Sequence, residues 1–183
     1  MKVIETEIPA VRMLVPRRFG DSRGWFAETW NRKALAEAGI DLEFVQDNQS
    51  LSANRGTVRG LHYQSPPFAQ DKLIRVLRGA ILDVAVDIRK GSPTYGRHVA
   101  VRLDAAEGVQ LLVPVGFAHG FVTLEPDTEV LYKVTNYYAP NNDHGIQWND
   151  PDLGIEWPIS EAEAELSDKD RRQPRFKDVV SPF

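Results

Sequence analysis

Arg59-Gly60-Leu61-His62-Tyr63-Gln64 places a guanidinium, a glycine, an imidazole, a phenol and an amide in one short run. If residues 57–64 form a strand, alternation puts Gly60, His62 and Gln64 on one face and Arg59, Leu61 and Tyr63 on the other. A curved sheet with a polar inner face then aims His62 inward. Lys72, His119 and Tyr132 stand in three further extended stretches. Each has an ordinary structural reading: a solvated strand-end lysine, a loop or core histidine, a core tyrosine with its hydroxyl satisfied. Taken together they are an acid, a base and a fixed cation, the parts needed to remove a proton beside a carbonyl, hold the enolate and return the proton. His98 and His144 have no such company and read as surface residues.

The elements that must position these groups are mostly strands. Val3 to Ile8 and Val11 to Val15, broken by Pro9 and Pro16, read as short extended segments, the first of them available for pairing with another subunit. Apolar alternation continues through Lys72–Arg78, Ala80–Ile88, His98–Leu103, Val109–Val115 and Glu129–Val134, with Leu82, Val84, Val86 and Ile88 sharing a face opposite Asp83, Ala85 and Asp87. One clear helix is expected over Arg32–Ala38, with Asn31 as N-cap and Gly39 after its end. Gln46-Asp47-Asn48-Gln49-Ser50 reads as a polar turn that can also hydrogen-bond a flat heterocycle. Ser160 caps a short acidic helical stretch through Leu166. Many short strands with few short helices predict an all-β protein, a jelly-roll β-sandwich or barrel, in a single domain over residues 1–183.

Composition narrows the function. With 42% hydrophobic and 26% charged residues in 183, and a formal charge of −4, the chain reads as a soluble globular protein. It is not a general nucleic-acid or membrane binder, so an anionic ligand must be met by local cations. There is no cysteine, which removes disulfides and thiolate metal sites and suits a reducing, cytoplasmic setting. No signal-peptide-length apolar segment opens the chain, and no later run is long enough to span a membrane.

Two other chemistries fail on the same residues. A metal-binding β-barrel of the cupin type usually carries a His-x-His pair followed by Glu, but here the stretch is His62-Tyr63-Gln64 with no carboxylate before Asp71. No serine sits in a Gly-flanked elbow, and no Gly-rich phosphate loop is present.

Several ordered motifs carry a resemblance along essentially the whole chain: Asp21-Ser22-Arg23-Gly24-Trp25-Phe26, Gln46 to Ser50, Arg59 to Gln64, Lys72, Pro114 to Phe121, Tyr132, Asn136-Tyr137-Tyr138-Ala139-Pro140, Trp148 to Pro151 and Leu166-Ser167-Asp168-Lys169-Asp170. With these the chain resembles the dTDP-4-dehydrorhamnose 3,5-epimerase family. The resemblance implies a cupin-type jelly roll without metal or cofactor, acting on a dTDP-sugar, and a homodimer that exchanges N-terminal strand material. It makes His62 the base that removes the C5 and C3 protons beside the C4 ketone, with Asp170 orienting and charge-stabilising the imidazole. Lys72 stabilises the enolate oxygen. Tyr132 is the implied acid on the opposite face, with Tyr138 as second choice.

By the same resemblance Arg23 and Arg59 hold the pyrophosphate, while Glu28, Asp47, Asn48 and Gln49 surround the thymine and deoxyribose. His119 and Lys169 complete the substrate contacts. Asp143 is the one departure, standing where the family often has Glu, and its shorter side chain reaches less far toward a nucleotide. Two alternatives remain beside the 3,5-epimerase: a same-fold enzyme acting at C3 or C5 alone, and a sugar-nucleotide binder without chemistry.

Overall fold

The computed structural model describes residues 1–183, and nearly all of its regular structure is antiparallel β. In chain order the strands are β1 Lys2–Glu5, β2 Arg12–Val15, β3 Arg18–Asp21 and β4 Gly24–Ala27. The helix α1, Arg32–Glu37, follows. Then come β5 Gln46–Ser52, β6 Val58–Gln64, β7 Lys72–Arg78, β8 Ala80–Asp87, β9 His98–Asp104 and β10 Gln110–Val113. β11 Phe117–Thr123, β12 Thr128–Val134 and β13 Asp143–Gly145 complete the set.

A six-stranded sheet runs β1-β2-β10-β7-β12-β5 and a five-stranded one β13-β6-β11-β8-β9. Between them lies the largest core cluster, with Ile74, Val76, Leu111 and Val130 from the first sheet meeting Ile81, Ala85, Val99, Leu103, Phe117 and Phe121 from the second. This is the expected all-β sandwich, of the cupin type. Each fully buried Val, Leu, Ile or Phe among them contributes roughly 1.5–3 kcal/mol relative to exposure. The other face of the five-stranded sheet is covered by residues after β13, where Leu61, Tyr63, Val84 and Val86 pack on Ile146, Leu153, Trp157 and Phe183. These coverings free the inner face near β6 and β12 for polar side chains.

The helix forms as the sequence predicts. Asn31 Oδ1 accepts from Ala34 N at 3.1 Å. Beyond the C-cap Ala38, Gly39 takes φ +78°, and Ile40 N donates to Leu35 O at 2.8 Å. Ile40 and Leu35 then meet in the cluster that also buries Leu14, Leu73 and Leu112. Such a positive-φ glycine followed by an apolar lock ends a helix sharply.

Three expectations are corrected. Residues 46–50 are not a turn but the first part of β5, because pairing with β12 over its full length satisfies the backbone that turn chemistry would otherwise have to satisfy. The first strand ends at Glu5, where Thr6 Oγ1 bonds back to Ile8 and Val11 carbonyls and turns the chain. Residues 160–166 are not helical: 161–163 form a turn that Ser160 closes by donating its hydroxyl to Glu163 at 2.8 Å, and Glu165 bridges Thr57. The Gly-rich stretch at 18–27 is a separate hairpin, β3–β4.

Strict alternation in β6 also fails. His119 pairs with His62 and Phe121 with Arg59, so two steps on β11 oppose three on β6, and a bulge results. Gly60, at φ +133°, lies so close to Gly120 that an added Cβ would sit 2.4 Å from the Gly120 Cα. The bulge turns Arg59 to the same side as His62, whereas Leu61 and Tyr63 stay in the core on the far side.

Candidate active site

His62 on β6 and Lys72 and Tyr132 on β7 and β12 face one another from opposite sheets and line two adjoining clefts. The larger, about 470 Å³, is also bounded by Ser50, Arg59, His119, Ser167 and Asp170. The smaller, about 240 Å³, adds Gln46, Asn48, Gln70, Tyr138 and Asp143. Only His62, Lys72 and Tyr132 border both, so a ligand spanning the clefts crosses these three groups.

His62 Nε2 lies 2.5 Å from Asp170 Oδ1, and Ser167 Oγ donates to Asp170 Oδ2 at 2.9 Å. The imidazole is 28% exposed and the carboxylate 5%, so the ring meets the cleft while its partner is sheltered. Burial pushes the Asp170 carboxyl up, but hydrogen bonds from His62 and Ser167 and the nearby Lys169 charge outweigh it and hold the group below the usual carboxylate range. Asp170 is therefore charged at neutral pH.

Burial brings Lys72 down to about 8, against the opposing pull of Asp143 and Asp83. Its Nζ donates to the His62 carbonyl at 3.3 Å. Tyr132 moves the other way: burial raises its phenol, and Arg59 partly offsets this. It remains a protonated donor at neutral pH. Tyr138 is exposed, and its hydroxyl donates to Asp143 Oδ2 at 3.0 Å, which is the main reason its phenol is also raised. Lys169 pairs with the same Asp143 oxygen. Asp143 is thus occupied by two protein partners.

The remaining expected residues divide. Arg59 borders the larger cleft, anchored by Nε to Ser52 Oγ at 3.2 Å. On β5, alternation leaves Asn48 in the smaller cleft and turns Asp47 and Gln49 to the outer face, where they meet Lys133 at 2.8 Å and Glu129 at 3.1 Å. Arg23 pairs with Asp21 at 2.6 Å on the exposed β3–β4 hairpin, and Glu28 follows that hairpin; neither borders the clefts of its own chain. No three His, Asp or Glu side chains converge as a metal site would require.

His119 has its own carboxylate, which the sequence reading missed: its Nε2 lies 2.6 Å from the fully buried Asp83. The partial signal is that Asp83 and Asp87 share one face of a strand whose other residues are apolar. Gln46 and Ser50 belong to the stretch the sequence offers as a hydrogen-bonding surface, and they reach the clefts from a strand instead of a turn; Ser167 is not singled out by the sequence.

Residues 5–178 match the family model described as dTDP-4-dehydrorhamnose 3,5-epimerase. The chain belongs to the dTDP-4-dehydrorhamnose 3,5-epimerase family. The dTDP-4-dehydrorhamnose 3,5-epimerase of Sinorhizobium fredii is 53% identical over 96% of this chain and 90% of its own. Among solved structures, the dTDP-4-dehydrorhamnose 3,5-epimerase of Bacillus anthracis, with TDP and PPi bound, superposes with a TM-score of 0.92 at 53% identity, covering 95% of this chain and 98% of that one. The dTDP-6-deoxy-D-glucose-3,5-epimerase of Legionella pneumophila, in complex with dTDP-4-keto-L-rhamnose, gives 0.93 at 43% identity over 98% and 94%. The family expectation from the sequence therefore holds, and with it the assignment to the carbohydrate epimerases.

Proposed function

We propose that this epimerase converts dTDP-4-dehydro-6-deoxy-D-glucose to dTDP-4-dehydro-L-rhamnose by removing and returning a proton at C5 and at C3. The observation that carries the reading is the placement of the His62–Asp170 pair on one sheet against Tyr132 and Lys72 on the other. Inversion at carbon needs a base and an acid on opposite faces of the sugar, and opposite walls of a sandwich supply them.

His62 takes the proton beside the C4 ketone, and the electron pair left behind moves onto the C4 oxygen. Asp170 orients the ring and offsets the imidazolium charge. Lys72 stabilises the enolate as an ammonium in a sheltered site, where a charge is worth more than in water. Tyr132 then delivers its phenolic proton to the other face of the carbon, and the nearby Arg59 charge favours the phenolate it leaves. Before the second cycle the half-open imidazole gives up its proton to solvent and the Tyr132 phenolate takes one back from solvent, so that base and acid are both restored.

The nucleotide end is proposed to lie along Arg59, His119, Asn48 and Lys169. Arg23 and Glu28, outside the clefts of their own chain, would serve a second copy. Support comes from the β3–β4 hairpin, which exposes Phe19, Trp25 and Phe26, the last by 69%, and from the unpaired edge of β1. A homodimer with exchanged N-terminal strand material, built from one domain per chain, covers both features. No helix is long and apolar enough to cross a membrane, and a sugar-nucleotide substrate fits a cytoplasmic enzyme. Incubating the protein with dTDP-4-dehydro-6-deoxy-D-glucose and identifying the product by NMR tests the reading: recovery of unchanged sugar would leave a binder only.

A further inference from the structure

Ser167 is an exchange point for two hydrogen bonds with one residue. Its hydroxyl donates to Asp170 Oδ2 at 2.9 Å, and the same oxygen accepts from Asp170 N at 3.1 Å. Its carbonyl accepts from Arg171 N at 3.0 Å. Asp170 opens a short 3-10 turn closed by Arg172 N donating to Lys169 O at 3.2 Å, and Lys169 at its start offers no side-chain cap, so the Ser167 bonds secure its first residues. Upstream, Glu165 bridges Thr57, and Val58 N donates to Glu165 O at 2.9 Å, which ties the segment to the strand that carries His62. Ser167 therefore stands two residues past an anchor on β6 and three before the carboxylate that meets β6 again.

We propose that Ser167 is a positioning residue for the epimerisation, holding Asp170 by both its side chain and its backbone so that Oδ1 is presented to His62. This rests on the proton-transfer reading of the His62–Asp170 pair. With Oδ2 engaged by Ser167, the carboxylate cannot turn about its own axis to offer the other oxygen or swing toward Lys169. The serine proton is fully committed to Asp170, so the residue acts through that carboxylate and not on the sugar. A charge-assisted hydrogen bond of this kind also favours the ionised carboxylate, the form that supports an imidazolium.

The test compares Ser167→Thr, which keeps the hydroxyl, with Ser167→Val, which has nearly the shape of threonine without it. Steady-state turnover of dTDP-4-dehydro-6-deoxy-D-glucose is measured for both and for the wild type, with kcat and KM resolved. Ser167→Val is expected to lower kcat on the order of tenfold with KM changed by less than about twofold, while Ser167→Thr stays within about threefold of wild type. Ser167→Ala, smaller and free of strain, is run alongside and must behave like Ser167→Val. Equal kcat for the threonine and valine variants, or a loss confined to KM, overturns the positioning role while leaving the epimerase reading intact. An inactive wild type overturns both.

Discussion

His62 and His119 stand directly opposite each other in the β6–β11 ladder, yet each imidazole is held by a different carboxylate, Asp170 in one case and Asp83 in the other. The two pairs differ in burial. Asp83 is fully buried and His119 reaches the cleft with only 8% of its side chain exposed, whereas His62 opens to it with 28%. Under the proposed function, base chemistry goes to the His62–Asp170 pair, the more open of the two, and the His119–Asp83 pair holds the cavity wall.

Substitution separates the two. Asp170→Asn keeps the shape and removes the charge, and kcat is expected to fall about 10²-fold or more, the usual scale of a general-base contribution, with KM little changed and a stability cost of about 1–3 kcal/mol for the lost charged pair. Asp83→Asn leaves His119 poorly matched in a buried site and is expected to cost about 1–3 kcal/mol of stability with a rise in KM. Urea unfolding and steady-state kinetics on both variants check this. A stable Asp83→Asn protein with lost kcat would reverse the assignment.

Lys72 sets an alkaline limit. Its ammonium, brought down to about 8 by burial, is lost above that pH, so kcat/KM should decline through a limb near 8. Asp143 opposes the shift, and Asp143→Asn is expected to move the limb to lower pH. Stability runs the other way. A lysine with a folded pKa below its unfolded value costs stability while both states are protonated, and that cost is relieved as pH rises from about 8 toward 10.5. Lys72→Met should therefore stabilise the fold at pH 7, on the order of 2 kcal/mol, while removing activity.

Tyr132 and Tyr138 divide on exposure and partner. Tyr132 is sheltered between both clefts, whereas Tyr138 is surface-exposed and bonded to Asp143. Tyr132→Phe is expected to retain hydrogen loss from the substrate carbons but to lose inversion. Tyr138→Phe should keep inversion and change kcat by less than about tenfold. Chiral product analysis distinguishes them, and inversion by Tyr132→Phe would move the acid to Tyr138.

Much of this arrangement was legible in the sequence because it depends on local rules. The α1 boundaries followed from Asn31 and Gly39, and the alternating runs of β7, β8 and β12 placed Lys72 and Tyr132. What escaped depends on partners far away in the chain. β5 looks like a turn until β12 is beside it, and the turn of Arg59 toward His62 needs the bulge that Gly60 and Gly120 create together. Asp83 and Ser167 gain meaning only from His119 and Asp170, which pattern alone does not bring to them.

The hairpin residues supply a test of the dimer. Arg23→Ala is expected to raise KM, and so is any change that stops β3–β4 from reaching a second copy. Mixing Arg23→Ala chains with His62→Ala chains under conditions that exchange subunits should restore activity, because a hybrid pairs an intact His62 with an intact Arg23 in one site. No recovery on mixing would mean that Arg23 serves its own chain or none.

The most direct measurement is proton NMR of dTDP-4-dehydro-6-deoxy-D-glucose in deuterated buffer, with wild type and with His62→Ala. Wild type should exchange the C3 and the C5 hydrogens for deuterium, and His62→Ala should exchange neither. Exchange at a single centre, or exchange that survives in His62→Ala, would contradict the proposed function.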